Sequence, residues 1–337
     1  MIKTAEAVSL GHPDKTADFI SSYILDQMIK MDPYVKYAVE VMVKDNYVIL
    51  GGEIAGAINM DNINKYVRDA ICAIGYDEKY SSQWDEYAIN PDKLNIINLV
   101  GAQSCDINIG VENNGWGDQG VFVGYATNGE QNLNRELYLA KKLNFALYNR
   151  AKNGSGLGLD IKTQITLDDT NHIDTAIVAI PMLQNQNLED FICDTLNEKP
   201  RNIIVNGTGR YTYHSSIADC GITGRKLACD FYSTACPIGG GAPWTKDATK
   251  ADLTLNLYAR KLAVKHILNN DECFVYLSSC IGQSKLPSAV IKTIKDNMTK
   301  YESFVVDKLP SELISEMNLR QPVFSHLCIK SVSGAIY

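Results

Sequence analysis

Residues 6–15 read EAVSLGHPDK, and this stretch does most to fix the fold of the chain. Asp14 can cap a helix that extends to about Lys30, because apolar residues recur after it at intervals of three and four. A helix N-terminus favours anions, His and Lys can bind phosphate, and Asp14 can ligate a hard cation. The segment from Gly11 to Lys15 is therefore a candidate phosphate site, and a proline-containing turn with an Asp cap is the competing interpretation.

The composition describes a globular protein with a sizeable core. The chain has 337 residues, 45% of them hydrophobic and 21% charged, which suits two or three domains. The net charge is −7, and the Lys and Arg residues are scattered, so we expect no nucleic-acid partner. No apolar run approaches the roughly 20 residues of a membrane span, and no secretory leader is recognisable, so we expect no membrane partner.

The nine cysteines predict the compartment. Their number is odd and no Cys-x-x-Cys occurs, which argues against both a disulfide framework and a thiolate zinc site. Buried, reduced thiols are the simplest interpretation. We therefore expect a soluble protein of a reducing compartment, the cytoplasm.

Hydrophobic periodicity predicts alternating strands and helices along the whole chain. The predicted strands are 36–43, 46–50, 161–167, 173–180, 202–205, 227–232 and 273–278. The predicted helices are 14–30, 59–74, 133–149, 192–196 and 250–268. The polar stretch 104–120 is predicted to be a long loop. Similar sets of elements recur three times, so the class is α/β (or α+β) with mixed sheets, and a threefold duplication is suggested.

Two further segments concentrate residues that suit phosphate. Residues 219–226, DCGITGRK, place Arg225 and Lys226 after two glycines, as in an anion clamp, and a solvated turn is the alternative. Residues 239–247, GGGAPWTKD, have backbone N–H groups free to approach a ligand. This spacing resembles a P-loop but departs from it at Thr245 and Asp247.

Together these segments resemble the methionine adenosyltransferase (S-adenosylmethionine synthetase) family. The resemblance runs from Glu6 to about Tyr258 and is thinner beyond. It rests on residues 6–15, 51–54, 103–108, 117–120, 124–127, 219–226 and 239–247.

The resemblance implies the fold and the assembly. The family fold has three similar α/β subdomains around a pseudo-threefold axis, here expected at residues 1–105, 112–212 and 213–337, with segments that cross between them. Two chains pair through flat sheet faces into a homodimer with shared active sites, possibly a dimer of dimers. The loop after Gln103 gates the site.

The resemblance also implies the reaction. The methionine sulfur attacks C5′ of ATP and displaces tripolyphosphate, which is then hydrolysed to pyrophosphate and phosphate. Two Mg²⁺ ions per site and K⁺ are the implied cofactors. A thioether needs no general base, whereas the leaving polyanion requires cations aimed at it.

Residue roles carry over from the resemblance by position. The implied catalytic residues are His12, Lys162, Arg225 and Lys246. The implied ATP contacts are His12, Asp118, Asp160, Lys162, Arg210, Tyr211, Asp219, Arg225, Lys226, Ala242 and Lys246. The implied methionine contacts are Glu53, Gln103, Asp219 and Lys250. Asp14 and Asp252 are the implied Mg²⁺ ligands, and Glu40 the implied K⁺ ligand.

The chain departs from the family pattern at several places. Pro243, Trp244 and Thr245 replace Phe, Ser and Gly, so we expect rearranged phosphate contacts there. Leu253 stands where the family has Arg, and Trp116 where it has Ala. The gating loop between Val111 and Gly117 is shorter than expected, and the usual Gly-His-Phe-Gly segment is not found.

These departures motivate a second hypothesis, a non-catalytic regulatory subunit that keeps the fold. A third is an unrelated ATPase or kinase with a degenerate P-loop.

Overall fold

A computed structural model describes residues 3–56, 61–102 and 115–335. The strands are β1 Lys3–Val8, β2 Lys36–Lys44, β3 Tyr47–Ala55, β4 Asn95–Ala102, β5 Gly120–Thr127, β6 Lys162–Leu167, β7 Ile173–Ala179, β8 Asn202–Val205, β9 Gly221–Ile222, β10 Glu272–Ser279, β11 Ser288–Lys295 and β12 Met298–Ser303. The helices are α1 Pro13–Met31, α2 Ile63–Ile74, α3 Glu78–Trp84, α4 Arg135–Lys152, α5 Glu189–Leu196, α6 Ser215–Ala218, α7 Leu227–Asp230, α8 Ala251–His266, α9 Pro310–Glu316 and α10 Phe324–Gly334.

The strands form three four-stranded sheets, in the orders β4-β3-β2-β9, β1-β6-β7-β8 and β12-β11-β10-β5. The first two sheets share one pairing pattern, because each has a parallel pair at one edge and antiparallel pairs elsewhere. The third sheet is antiparallel throughout. The expected α/β class with mixed sheets is confirmed.

The sheets do not follow the linear thirds of the chain. β1 pairs with β6 of the central third, β5 pairs with β10 of the last third, and β9 pairs with β2 of the first. Such exchanges bring distant segments into contact, as the family resemblance implied. The linear division at residues 1–105, 112–212 and 213–337 stays a prediction.

Most elements lie where periodicity predicts them. α1 is confirmed, and Ala17, Ile20, Ile24 and Met28 are all fully buried. β2 and β3 form the predicted hairpin, with Asp45 in the left-handed region at the turn. β6 alternates between buried and more exposed residues as expected.

One predicted element is wrong. The segment 227–232 is predicted as a strand but forms the one-turn helix α7. A short apolar run does not distinguish the two states by periodicity. Tertiary contacts decide, since Asp230 at the end of the turn is buried against Lys15 and Trp244.

Helix α1 is the centre of the molecule. It packs against β2, α2 and α10 and is buried on its polar side as well as its apolar side. Its start lies against β9, where a Cβ on Gly221 would overlap the carbonyl of Pro13. The absence of that Cβ lets the two segments approach, so residues 11–15 lie beside residues 219–226.

No helix in the described part of the chain is both long and apolar enough to cross a membrane.

Candidate active site

The candidate site lies along the edge of β2 that faces away from β3. On the side away from β3, β2 pairs with β9 through Met42 and Val43. Further along the same edge, Ala38 forms an isolated bridge with Lys246, and Val39 N donates to Thr245 O at 2.9 Å. The clamp turn (residues 219–226) and the glycine loop (residues 239–247) therefore lie side by side along one strand.

The start of α1 provides a buried histidine and a buried aspartate. His12 is the N-cap, and its Nδ1 accepts a hydrogen bond from Asp14 N at 3.2 Å. Asp14 Oδ2 accepts from Lys226 Nζ at 2.6 Å, and Asp14 Oδ1 accepts from Ile222 N at 2.9 Å. Arg225 Nε lies 3.8 Å from Asp14 Oδ1, with half of its side chain exposed. Asp14 therefore joins α1 to both cations of the clamp turn.

This environment sets the charge of both groups. Burial, with the nearby Lys226 and Lys162, lowers the pKa of His12 to about 3, so the imidazole is neutral. Burial alone would raise the pKa of Asp14, but its hydrogen bonds from Lys226 and Ile222 outweigh this and hold the pKa below its ordinary value. The site therefore combines a neutral imidazole with an ionised carboxylate.

The glycine loop has an equivalent pair. Lys246 Nζ donates to Asp252 Oδ2, and Gly241 N donates to Asp252 Oδ1 at 2.8 Å. Asp252 lies in the first turn of α8, and Lys250 is the N-cap of that helix. Both carboxylates expected to bind metal are thus ion-paired with a lysine expected to bind phosphate.

The two halves of the site are in contact. Gly224 has a φ of +74°, and a Cβ there would lie 2.7 Å from the Cβ of Ala242. Gly224 N also donates to Asp18 Oδ1 at 2.8 Å, which ties the clamp turn to α1. The Asp14 and Asp252 groups are therefore neighbouring walls of one site.

The three substituted residues of the glycine loop are buried in the protein core. Trp244 is buried, its Nε1 donates to Asp230 Oδ2 at 2.9 Å, and its carbonyl accepts from Ser22 Oγ at 3.1 Å. Thr245 contributes its carbonyl to β2. Pro243, Trp244 and Thr245 thus anchor the loop, which leaves residues 239–242 and Lys246 to face a ligand. Leu253 and Trp116 are also buried, so these two departures fill the core.

Lys15 is turned away from the phosphate side. Its Nζ lies 2.8 Å from Asp230 Oδ1 and 3.2 Å from Asp18 Oδ2, and it stands over the ring of Trp244. Burial opposes its charge, but Asp230 and Asp18 more than compensate and raise its pKa. The expectation that the whole segment from Gly11 to Lys15 faces phosphate is therefore wrong for Lys15.

Lys162 and Asp160 approach from the central sheet. Lys162 is exposed at the start of β6, opposite Val8 of β1, and is close enough to His12 to affect its pKa. Asp160 Oδ2 accepts from Ser215 N at 3.0 Å. Burial raises the pKa of Asp160 to about 7.

Glu40 and Glu53 lie on the same face of the first sheet. Ala38 pairs with Glu53 on β3 and bridges to Lys246 on its other side, and directly paired residues project to one face. Glu40 is two residues along β2 and therefore shares that face. Its carboxylate accepts a hydrogen bond from the Thr223 hydroxyl of the clamp turn.

The other candidate residues lie at the margin or elsewhere. Arg210 Nη1 donates to the carbonyls of Met182 and Leu183, so its guanidinium is engaged there. Burial raises the pKa of Tyr211, and the charge of nearby Asp160 raises it further. Asp118 and Asp219 are exposed, and each accepts a hydrogen bond from the backbone N–H of the next residue. Gln103 and the expected gating loop lie outside the described residues.

Sequence reasoning missed three supporting residues, Asp18, Thr223 and Asp230. Asp18 lies four residues after Asp14, so helical spacing could have placed both on one face. Thr223 lies inside a segment already singled out. Asp230 gave no local signal, because its partner Lys15 is 215 positions away.

The carboxylates of Asp14 and Asp252 suit Mg²⁺ better than a metal ion whose ligands all come from protein. No group of three or more His, Cys, Asp or Glu residues that could hold a metal occurs among residues 3–56, 61–102 and 115–335. Mg²⁺ is commonly held by one or two carboxylates together with water and substrate phosphates. Asp14 and Asp252, one on each wall, fit that pattern.

Comparisons with known proteins show the family to which the chain belongs. Residues 1–105 match the model of the S-adenosylmethionine synthetase N-terminal domain, and residues 213–335 match that of the C-terminal domain. The chain is 33% identical to an S-adenosylmethionine synthase of Mesoplasma florum over 95% of this chain and 92% of that protein. It is 32% identical to one of Mycoplasma capricolum over 95% and 89%.

A solved structure shows the same fold. The structure described as an unusual S-adenosylmethionine synthetase from Campylobacter jejuni superposes with a TM-score of 0.86 at 29% identity. The match covers 99% of this chain and 95% of that one.

Proposed function

The chain is an enzyme of the S-adenosylmethionine synthetase family, and we propose that it makes S-adenosylmethionine from ATP and L-methionine at the edge of β2. The sulfur attacks C5′ of ATP and the whole tripolyphosphate leaves. The tripolyphosphate is then hydrolysed to pyrophosphate and phosphate.

The observation that most supports this proposal is that cationic side chains lie together along one edge of β2. Lys226 and Arg225 reach Asp14 from one side, and Lys246 reaches Asp252 from the other. A leaving tripolyphosphate gains charge as the C5′–O bond breaks, and preorganised cations stabilise that charge. A neutral thioether needs no base, which suits a site whose histidine is neutral.

His12 is proposed to act at the leaving oxygen. Its Nδ1 accepts from Asp14 N, so the proton of the neutral ring lies on Nε2. Nε2 is then a hydrogen-bond donor for the oxygen that separates from C5′. A neutral donor fits here, because burial and the neighbouring lysines disfavour an imidazolium.

Mg²⁺ at Asp14 and Asp252, two ions per site, would neutralise phosphate charge as a Lewis acid. The lysines now paired with these carboxylates, Lys226 and Lys246, would turn to phosphate oxygens when the substrate binds. Lys162 and Asp160 are proposed to contact the phosphates and the nucleoside, together with Asp118, Arg210, Tyr211 and Ala242.

We propose that methionine is bound by Glu53, Gln103, Asp219 and Lys250. The K⁺ ion is proposed to be bound by Glu40. The sheet face that displays Glu40 and Glu53 supports this, because it adjoins Lys246. An amino acid needs both an acidic and a basic contact, which this set provides.

A homodimer with shared sites, possibly a dimer of dimers, is also proposed. The same sheet face presents Tyr47, Met42, Ile97 and Leu99, all well exposed, and Leu99 lies opposite Gly51, which pairs with Glu40. An exposed apolar patch on a sheet commonly marks a protein interface. A partner on this face would lie beside Glu40 and Glu53. The cytoplasm remains the proposed compartment, on the cysteine pattern given above.

One assay tests the proposal. The protein is incubated with ATP, methionine, Mg²⁺ and K⁺, and S-adenosylmethionine, pyrophosphate and phosphate are measured. Equal amounts of the three products are expected. No sulfonium product under any cation condition supports the alternative of a regulatory subunit, and methionine-independent release of ADP supports an ATPase.

A further inference from the structure

A cavity of about 550 Å³ lies away from the β2 edge, between α4 and α10. Its walls come from residues 7–10 at the end of β1, from both helices and from α7. Most of its lining is apolar and includes Leu133, Phe145, Tyr148 and Ile329. Phe145 is 63% exposed and Ile329 is 47% exposed. A pocket of this size and character is typical of a small-molecule site.

The charges in this cavity are unbalanced. Besides Lys15, which is paired with Asp230, the cavity is lined by Lys141, Lys142 and Lys330, whereas Asp230 is the one carboxylate among its described lining residues. Asp230 is already engaged, because it accepts from Lys15 and from Trp244 Nε1 at 2.9 Å. The three lysines therefore leave an excess of positive charge beside an apolar wall.

Lys141 is the focus of that excess. Its Nζ donates to Ser333 Oγ at 2.6 Å, and no ion pair with Lys141 occurs in the described part of the chain. Burial lowers the pKa of Lys141 to about 8, with Asp230 opposing the shift. A desolvated ammonium with one neutral partner gains from an anion that replaces its lost water.

We propose that this cavity binds a small amphipathic carboxylate, with its carboxylate on Lys141 and its apolar body against Phe145 and Ile329. Lys141 offers an ammonium beside a hydroxyl, and because most of the surrounding lining is apolar, a monocarboxylate with an apolar body fits better than a strongly hydrated phosphate dianion. A volume of about 550 Å³ is large enough for an acid with a chain of about ten carbons. Nothing in the reaction proposed above uses these residues.

The bound carboxylate would also lie near the active site's support. Asp230 lines the cavity and at the same time holds Trp244 of the glycine loop. Lys15 lines it as well and belongs to the same buried cluster. The proposed site therefore shares Asp230 with the cluster that anchors the loop carrying Lys246.

Calorimetric titration of the full chain with decanoate, below its micelle-forming concentration, tests the proposal. Saturable binding to one site is expected, and decanol and decylammonium should bind at least about tenfold more weakly. Lys141→Met should weaken decanoate binding by at least about tenfold. Lys152→Met, on the same helix but outside the cavity, should leave it unchanged.

Phe145→Ser provides an independent variant for the apolar half, and it too should weaken decanoate binding. Equal affinity for decanoate and decylammonium would overturn the proposal. So would decanoate affinity that is the same in wild type, Lys141→Met and Lys152→Met, or no saturable binding. These readouts do not depend on S-adenosylmethionine synthesis, so failure here is distinguishable from failure of the proposed function.

Discussion

Lys226 Nζ and Asp14 Oδ2 are 2.6 Å apart although the residues are separated by 212 positions. Lys246 and Asp252 repeat the arrangement on the other wall of the site. In each pair a carboxylate suited to Mg²⁺ is held by a cation suited to phosphate. Each carboxylate is thus ion-paired before substrate arrives, which limits the cost of burying Asp14.

Arg225→Ala should lower kcat/KM by about 100-fold or more, because one charged donor to the leaving group is lost. Half of the Arg225 side chain is exposed, so the melting temperature should change little. Steady-state kinetics and thermal melting measure the two effects. Arg201→Ala, an exposed arginine on the central sheet, is the matched control and should keep full activity. An unfolded variant that keeps normal activity per folded molecule would refute the role.

Lys15→Met should destabilise the protein by about 3–5 kcal/mol, because Asp18 and Asp230 lose their buried cation. Urea denaturation measures the free energy of unfolding. Adding Asp230→Asn should recover part of the loss, since the uncompensated charge is removed. If Lys15→Met left stability intact and weakened only ATP binding, Lys15 would be a phosphate ligand after all.

Trp244→Phe should cost about 1–2 kcal/mol, because the ring is largely kept and the bond to Asp230 is lost. Chemical denaturation checks this value. Trp84→Phe, in an aromatic stack with Tyr80, is the control for loss of ring size alone. Equal costs for the two variants would mean that the bond to Asp230 contributes nothing.

Leu99→Glu should convert a homodimer into monomers and lower activity, because Leu99 on the edge strand β4 is the most exposed of the four apolar residues on that sheet face. Analytical ultracentrifugation and the product assay report on assembly and rate. Leu268→Glu, equally exposed after α8, should change neither. A wild-type chain that is monomeric and fully active would contradict the shared site.

The lowered pKa of Lys141 predicts that the stability of the protein depends on pH. Its folded pKa of about 8 lies below its ordinary value of 10.5, so the stability present above pH 10.5 is lost as the pH falls from 10.5 to about 8. Lys141→Met removes this penalty and should be more stable than wild type at pH 7, by up to about 3 kcal/mol. The difference should shrink at pH 9.5. A gap that grows with pH would have the wrong sign.

Local sequence patterns predicted much of the fold and several residues of the candidate site. Periodicity predicted α1, the β2–β3 hairpin and β6, since each element shows its own repeat. It failed at residues 227–232, where the structure depends on Asp230 meeting Lys15 and Trp244. The exchange of β1 into the central sheet is equally invisible to local pattern, because pairing partners lie far apart in sequence.

The site residues also divide into those that the sequence indicated and those that depend on tertiary contacts. The resemblance named His12, Asp14, Arg225 and Lys226, and the structure brings these four together. It did not indicate that Lys15 faces inward or that Trp244 anchors the glycine loop. Both depend on burial against residues from elsewhere in the chain, which no motif encodes.

A crystal structure with a non-hydrolysable ATP analogue, methionine and Mg²⁺ tests the central claim most directly. The triphosphate should lie between the clamp turn and the glycine loop, with Lys226 and Lys246 on phosphate oxygens and Asp14 and Asp252 on the metal ions. A triphosphate bound elsewhere, with both lysine–aspartate pairs intact, would contradict the account.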